Sequence, residues 1–375
     1  MSPVPAEDFV HRTLRPLLPD AAAVLPYLRE IDANRWYSNF GPLLSRLEAR
    51  LAAHFGIEGD RLVILANCTA ALTLALESYR PEPGQYVALP SWTFAATPVA
   101  ILRAELTPWF LDVDPGSWQL TPELVESALP ERPGKLAAVV PVAPFGAAVD
   151  PAAWSAFSAR HGLPVVLDAA AAFDSVTPDH APAAVSLHAT KPFGIGEGGL
   201  VLCRSASQAE RLRRGSNFGF DRDRRAAMTG CNAKLSEYAA AVGLAALDAW
   251  PERRDAYAQT AARYRALLSA RSEGFRLAPG FGGQQVSSTC NLLLDAPVAA
   301  ETIGRLRERG IEARQWWGSG CHVQPAFASC PRSALPVTED LGKRVFAIPF
   351  SADMKESDMA AIAAAVAEVV EQCTC

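Results

Sequence analysis

Ser186-Leu-His-Ala-Thr-Lys191-Pro-Phe-Gly-Ile-Gly-Glu-Gly-Gly199 is the stretch on which the reading of this chain turns. A lysine closes a short β-like run, and a glycine-rich turn follows it. Upstream lies Val165-Val-Leu-Asp168-Ala-Ala-Ala-Ala172, an apolar strand ending on a lone carboxylate. The glycine run is not a nucleotide phosphate loop, because the Gly-Lys-Ser/Thr ending is missing and the glycines follow the lysine. It reads as a tight turn beside Lys191. An amine at one strand end and an acid at another are what pyridoxal phosphate requires. Lys191 can form a Schiff base with the cofactor aldehyde, and Asp168 can pair with the pyridinium nitrogen, which makes the ring an electron sink. Either residue alone says little. Many α/β proteins end a strand on a carboxylate, and most lysines are solvated surface charges.

Around these motifs the chain alternates strand and helix. Leu62–Leu65, Tyr86–Leu89, Trp109–Asp112, Leu136–Val140 and Val165–Leu167 read as strands. Thr69–Ser78, Thr93–Leu102, a segment opening at Thr121-Pro122-Glu123, and Pro151–His161 read as helices. Thr121 is a natural N-cap there, with proline in the first turn. Wholly apolar strands joined through helices predict a mostly parallel sheet covered on both faces. Val185–Leu187 and Leu200–Leu202 lie too close for a helical crossover and predict an antiparallel edge. From Leu235 to about Leu268 the chain reads as long helix broken at Trp250-Pro251. Beyond it, Cys290–Leu294 is a strand, and Ala299–Arg309 and Asp358–Glu371 are helices. The expected organisation is a large cofactor-binding domain over residues 1–250 and a smaller C-terminal α/β domain over 251–375.

With 375 residues, half of them hydrophobic, the chain can bury a large core. A net charge of −5 with no basic tract gives no reason to expect a nucleic-acid or anionic-membrane partner. Apolar runs are strand-length or broken by charge, so no membrane span is expected. Residues 1–12 carry Glu7 and Asp8 and lack a signal core, which makes the cytoplasm the expected compartment. Eight cysteines are scattered without a Cys-x-x-Cys pair, so they read as ordinary thiols and no metal is expected. Cys373-Thr-Cys375 is a terminal pair expected to be exposed.

Other pieces fall at predicted carboxyl ends of strands, where open α/β sheets bind ligands. Asn67-Cys-Thr-Ala-Ala71 can present backbone amides and a hydroxyl to an anion, or it can be plain helix capping by Asn67 or Thr69. In Pro90-Ser-Trp-Thr-Phe94 the last aromatic can stack on a planar ring or pack in the core.

Taken together, the chain resembles the pyridoxal-phosphate-dependent sugar-nucleotide aminotransferases of the DegT/StrS group over nearly its whole length. The resemblance is carried by Ser38-Asn-Phe-Gly-Pro42 with Leu47-Glu48, by Thr69-Ala-Ala-Leu72, and by Pro90–Phe94. It continues through Phe110-Leu-Asp-Val-Asp114, Asp168-Ala-Ala170, the lysine motif and Asn232-Ala-Lys-Leu-Ser-Glu237. Leu335-Pro-Val-Thr-Glu339 and Ile348-Pro-Phe350 complete it. The resemblance implies the type I aminotransferase fold, a homodimer, and amination of a nucleotide-linked keto-sugar with glutamate as donor. It implies that Lys191 is the Schiff-base lysine and proton shuttle, and that Asp168 holds the pyridine nitrogen protonated. Thr69, Ser186 and the amides of Cys68–Ala70 would bind the cofactor phosphate. Phe94 would cover one ring face and Ala170 the other, and Asn232 would reach the phosphate of the neighbouring subunit. His188 and His322 are candidate sugar contacts; His188 can equally be a strand histidine bonded to backbone. Trp316 and Trp317 can be substrate wall or core. The chain departs from the group at Ala171, where glutamine or histidine is common, at Cys68 for glycine, at Lys234 for arginine and at Phe218 for histidine. A dehydratase or deaminase of the same fold, or a non-catalytic regulatory homologue, are the alternatives. Dehydrating members can carry histidine at the lysine position, which Lys191 argues against.

Overall fold

The computed structural model describes residues 9–180 and 182–374. Most of the N-terminal stretch read for a signal core, residues 1–8, and Cys375 of the terminal pair lie outside the described residues. In chain order the elements of the first 250 residues are α1 (Ala21–Asn34), α2 (Pro42–Phe55), β1 (Leu62–Leu65), α3 (Cys68–Glu77), β2 (Tyr86–Pro90), α4 (Ala96–Arg103), β3 (Thr107–Leu111), α5 (Pro122–Ala128), β4 (Leu136–Val139), α6 (Pro151–His161), β5 (Leu167–Asp168), β6 (Ala183–Ser186), β7 (Gly199–Leu202), α7 (Ala206–Gly215) and α8 (Glu237–Asp248). There follow α9 (Trp250–Ser269), β8 (Phe275–Leu277), β9 (Cys290–Leu294), α10 (Ala299–Glu308), α11 (Pro336–Arg344), β10 (Val345–Ile348) and α12 (Glu356–Thr374).

The central sheet runs β1-β7-β6-β5 and continues into β4-β2-β3 through parallel bridges Val139–Val165 and Val142–Asp168. Every strand in it is parallel to its neighbours except β7. The expected antiparallel pair β6–β7 is present, but it is not an edge. β7 is inserted between β6 and β1 and bonds antiparallel to both. Burial alternates along the strands as a two-faced sheet requires. Leu62 and Ile64 of β1 join one core with Leu200 and Leu202 of β7, while Val63, Leu65 and Val201 enter the other. A second sheet, β10-β9-β8, is antiparallel and packs with α9 to α12. No helix among the described residues is long and apolar enough to cross a membrane.

Both edges of the central sheet are closed by other parts of the chain. At β1, Glu48 of α2 accepts the Ile64 N–H at 3.1 Å and Arg213 of α7 donates to the Leu62 carbonyl at 2.6 Å. At β3, Phe110 exchanges backbone bonds with Pro331 and Ser333. Two helices take their N-terminal caps from distant carboxylates. Asp112, just past β3, accepts from the N–H groups of Val337 and Thr338, each at 2.8 Å, and from the Thr338 hydroxyl at 2.7 Å. Glu237, the first residue of α8, is 1% exposed and accepts from the Leu43 and Leu44 N–H groups of α2, each at 2.8 Å. Gly41 precedes α2 because a Cβ there would lie 2.5 Å from Glu237 Cδ.

Loss of this second cap is measurable. Glu237→Ala removes a charged acceptor from two buried N–H groups and should lower unfolding free energy by about 2–4 kcal/mol. Glu237→Gln keeps one acceptor and should lose roughly half as much. Urea midpoints with unchanged slope report the difference. An alanine variant within about 0.5 kcal/mol of wild type would show that the cap is dispensable.

Candidate active site

The ends of β1, β2, β5 and β6 and the start of β7 lie on one rim of the sheet, because β7 alone is reversed. Asp168 closes β5. Its backbone is fixed on both sides, N–H to Pro141 O and carbonyl to Ala143 N, each at 2.9 Å. Its side chain is 4% exposed; Oδ2 accepts from the Thr97 hydroxyl at 2.7 Å and Oδ1 from the Ala170 N–H at 3.1 Å. Burial pushes this carboxyl above its ordinary value, opposed by those two donors and by the charge of Lys191.

Lys191 lies beyond β6, in a turn whose N–H bonds the His188 carbonyl at 2.9 Å. The glycine run folds back on that turn: Leu187 bonds Gly198, and Ala189 bonds Gly196. Gly194 lies against the Ala189 carbonyl, where a Cβ would come within 2.7 Å. Gly199 opens β7 and touches the Asn67–Cys68 peptide, at 2.5 Å from where its Cβ would be. That contact brings the start of α3 to the lysine. Burial depresses the Lys191 ammonium; Cys68 and Asp168 act in the opposite direction. Burial likewise raises the Cys68 thiol, helped by Asp168 and opposed by Lys191. Three groups far apart in sequence therefore sit within electrostatic reach of one another.

At the start of α3, Asn67 Oδ1 caps the Ala70 N–H at 2.8 Å. Capping by Asn67 is thus real, and of the three amides expected to face an anion one is taken. Those of Cys68 and Thr69 have no intrahelical acceptor and remain available. Ser186 ends β6, buried, its hydroxyl accepting from the His188 N–H at 3.2 Å. Phe94 is 61% exposed on the turn after β2, which rules out core packing. α4 begins at Ala96, later than expected, leaving Ser91–Phe94 as that turn. Ala170 is half-buried.

His188 stands in the turn, not in a strand. Its Nδ1 accepts from the Thr190 N–H at 3.2 Å, and Nε2 lies 3.6 Å from Glu197. His322 is 4% exposed and its Nδ1 bonds the Ser91 hydroxyl at 2.8 Å, so it braces the turn after β2 from the C-terminal half. Trp317 stacks on Phe145 at 4.2 Å and meets Trp92 edge-on, which makes it core. Asn232 is exposed on a hairpin beside Asn217. Its Oδ1 accepts from Lys234 Nζ at 2.7 Å, and that ammonium lies 4.7 Å from the Phe218 ring centre. The lysine takes up the amide oxygen, which leaves the NH₂ as the group able to donate. Between this hairpin and α3 runs a groove of about 950 Å³, lined by Asn67, Thr69, Glu197, Gly230 and Cys231 among others.

The comparisons with known proteins agree with this geometry. Residues 20–367 match the model of the DegT/DnrJ/EryC1/StrS aminotransferase family. The chain belongs to this family. A Mycobacterium tuberculosis protein is 30% identical over 95% of this chain and 89% of its own length. The dTDP-3-amino-3,4,6-trideoxy-alpha-D-glucose transaminase of Streptomyces venezuelae is 30% identical over 92% of this chain and 91% of its own. The structure of DesI with its TDP-sugar product superposes with a TM-score of 0.87 at 31% identity, over 98% of this chain and 94% of that one. The fold is the type I aminotransferase fold, and the family's cofactor is pyridoxal phosphate.

The residues present fit that cofactor. A buried carboxylate has spare lone pairs, a half-buried amine lies within its electrostatic reach, free amides open α3, and a glycine stands where a Cβ would close the cradle. Sequence reading missed Thr93, Thr97 and Ser91, the residues that hold Asp168 and His322. Ser91 and Thr93 lay in the quoted Pro90–Phe94 motif, but Thr97 lies outside it, and nothing local pointed to its distant partner.

Covalent capture of a carbonyl needs the neutral amine. Because burial lowers the Lys191 ammonium, the capture rate of pyridoxal phosphate by cofactor-free protein should rise with pH and level off below 10.5, the ordinary lysine value. Stopped-flow absorbance measures this. A rate still climbing through that value would contradict the depression.

Proposed function

We propose that this protein is a homodimeric, cytoplasmic, pyridoxal-phosphate-dependent aminotransferase that converts a nucleotide-linked keto-sugar to an amino-sugar, with L-glutamate as donor. The observation that carries this reading is the buried Asp168 within electrostatic reach of the half-buried Lys191 on one rim of the sheet. Relatives named as nucleotide-sugar transaminases support the substrate class.

When bound, pyridoxal phosphate supplies an electron sink for a carbanion at the amine-bearing carbon. Lys191 is assigned to hold it covalently and, once released, to carry a proton on Nζ at that carbon. Asp168 is assigned to the ring nitrogen, a charge-assisted bond of about 1.5–3 kcal/mol. Ser186, Thr69 and the amides of Cys68 and Thr69 are assigned to the phosphate, with Ala70 supporting from within the cap. Phe94 and Ala170 are assigned to the ring faces. His188, half exposed at the mouth, is assigned to the sugar; His322 acts through the turn it braces. Residues 1–250 would form the cofactor-binding domain and 251–375 the smaller one, with the division at the α8–α9 break. Lys191 argues against the dehydratase reading, since dehydrating members can carry histidine at that position.

Borohydride reduction of the holoenzyme should leave the cofactor attached to Lys191, located by peptide mass mapping. Keto-sugar nucleotides should gain an amine only when an amino donor is supplied. Attachment elsewhere, or donor-independent turnover, would overturn the reading.

The dimer has its own test. Asn232 is exposed, oriented by Lys234, and follows Gly230 and Cys231 of the open groove's lining, all of which suit a residue that serves the partner's site. Mix a Lys191→Ala protein with an Asn232→Trp protein, each nearly inactive. If the site is shared, a mixed dimer has one site with both defects and one with neither. Random exchange then restores roughly a quarter of all sites. Verified exchange with no recovery would place Asn232 in its own subunit's site.

A further inference from the structure

Thr97 Oγ1 lies 2.7 Å from Asp168 Oδ2 and 2.8 Å from Thr93 Oγ1. Thr93 and Thr97 are each 1% exposed, so water does not compete for these bonds. An ionised carboxylate can only accept, so Thr97 donates to Asp168 and its oxygen accepts from Thr93. The chain of hydroxyls has one direction as long as Asp168 is charged.

Thr93 is itself fixed. Its N–H bonds the Ser91 carbonyl at 3.0 Å, and its carbonyl accepts from the Cys321 thiol at 3.2 Å. The Cys321 N–H bonds Ser91 O at 2.8 Å, and His322 holds the Ser91 hydroxyl. Gly320 makes this closure possible: at φ +97 it sits where a Cβ would meet Ser91 Oγ at 2.8 Å. The donor chain that ends on Asp168 is thus clamped from the C-terminal half of the molecule.

We infer that Thr97, oriented by Thr93, is a positioning residue that fixes the direction and the charge of Asp168 toward the cofactor's ring nitrogen. The inference rests on the assignment of Asp168 to that nitrogen. The physical reason is that a carboxylate held out of water needs hydrogen bonds to its charged form. Asp168 has two from the protein, and the Ala170 N–H is the longer, at 3.1 Å. Without the Thr97 hydroxyl, Oδ2 loses the shorter of the two protein hydrogen bonds that favour its charged form. A neutral acid there cannot keep the nitrogen protonated.

The test uses the full-length protein and pyridoxal phosphate isotope-labelled at its ring nitrogen. NMR reports protonation of that nitrogen, and equilibrium dialysis reports cofactor affinity. Thr97→Val, isosteric but without the donor, should weaken affinity at least about tenfold and move the signal toward neutral pyridine, as Asp168→Asn does. Thr97→Ser should stay within about threefold of wild type and keep the protonated signal. Thr93→Val should shift both in the same direction, by roughly two- to fivefold in affinity. A role confined to packing would instead lower the melting temperature of the cofactor-free protein and spare the nitrogen signal. The inference is overturned if Thr97→Val keeps wild-type signal and affinity while Asp168→Asn loses them, or if serine fails as badly as valine. Should Thr97→Val not fold, an unshifted nitrogen signal in Thr93→Val overturns it. If Asp168→Asn itself keeps the wild-type signal, the assignment of Asp168 falls, and this inference falls with it.

Discussion

A carboxylate is held out of water on one rim of the sheet with a half-buried amine within its electrostatic reach, and taking such a charge from solvent costs several kcal/mol. Much of the surrounding structure answers that cost. Asp168 is supplied with a hydroxyl and a backbone donor. Lys191 is placed within reach of that carboxylate by a turn built on glycines that admit no Cβ. The reversal of β7 matters here. It returns the chain to the rim immediately after Lys191, so that Gly199 can touch the peptide before α3. A helical crossover after the lysine would carry the chain away and leave the amine open to solvent.

Several motifs that look like separate signals in the sequence are halves of single contacts. Phe110-Leu-Asp112 and Pro336-Val-Thr338 meet because Asp112 caps α11. Pro42 and Ser236-Glu237 meet because Glu237 caps α2, whose own N-cap residue is a glycine without a side chain to offer. Leu47-Glu48 pairs with β1, whose edge Glu48 closes. Carboxylates at helix N-termini complement both the unpaired N–H groups and the helix dipole. Their long sequence separation ties the two ends of the chain to the central sheet.

The strand–helix alternation was legible because it is local. Apolar strands such as Leu62–Leu65, the Thr121 cap and the break at Trp250-Pro251 each declare themselves within a few residues. So did Asp168, at a strand's end among apolar residues; Lys191 was legible from the glycine run after it, although it lies in a turn five residues past the end of β6. The place of β7 was not legible. Short spacing shows that two strands pair antiparallel, but it does not say what lies on the far side, and β1 is the partner there. Thr97 was illegible for a related reason. A threonine in a helix's first turn looks like a cap, and its true partner is a carboxylate 71 residues away. His322 was read as a candidate sugar contact because its loop resembles one that approaches the active site in the family. In the fold it is buried against Ser91.

The departures from the family pattern have different physical weights. Lys234 and Phe218 touch each other, so the changes at these two positions act as one: an ammonium over an aromatic ring, with Asn232 held by the same ammonium. Cys68 needs no glycine-like backbone, since it lies inside the first turn of α3 in ordinary helical geometry and is absent from the residues with positive φ. Ala171 is another matter. Its carbonyl packs against Gly146, whose φ of +89 and lack of room for a Cβ hold the Phe145–Gly146 turn close. Phe145 in turn stacks on Trp317. The backbone on the carbonyl side of position 171 is therefore fixed by the Phe145–Gly146 turn and the stacked rings behind it. The alanine methyl has no polar atom, so a hydrogen bond that glutamine or histidine could make from this fixed backbone cannot come from this side chain.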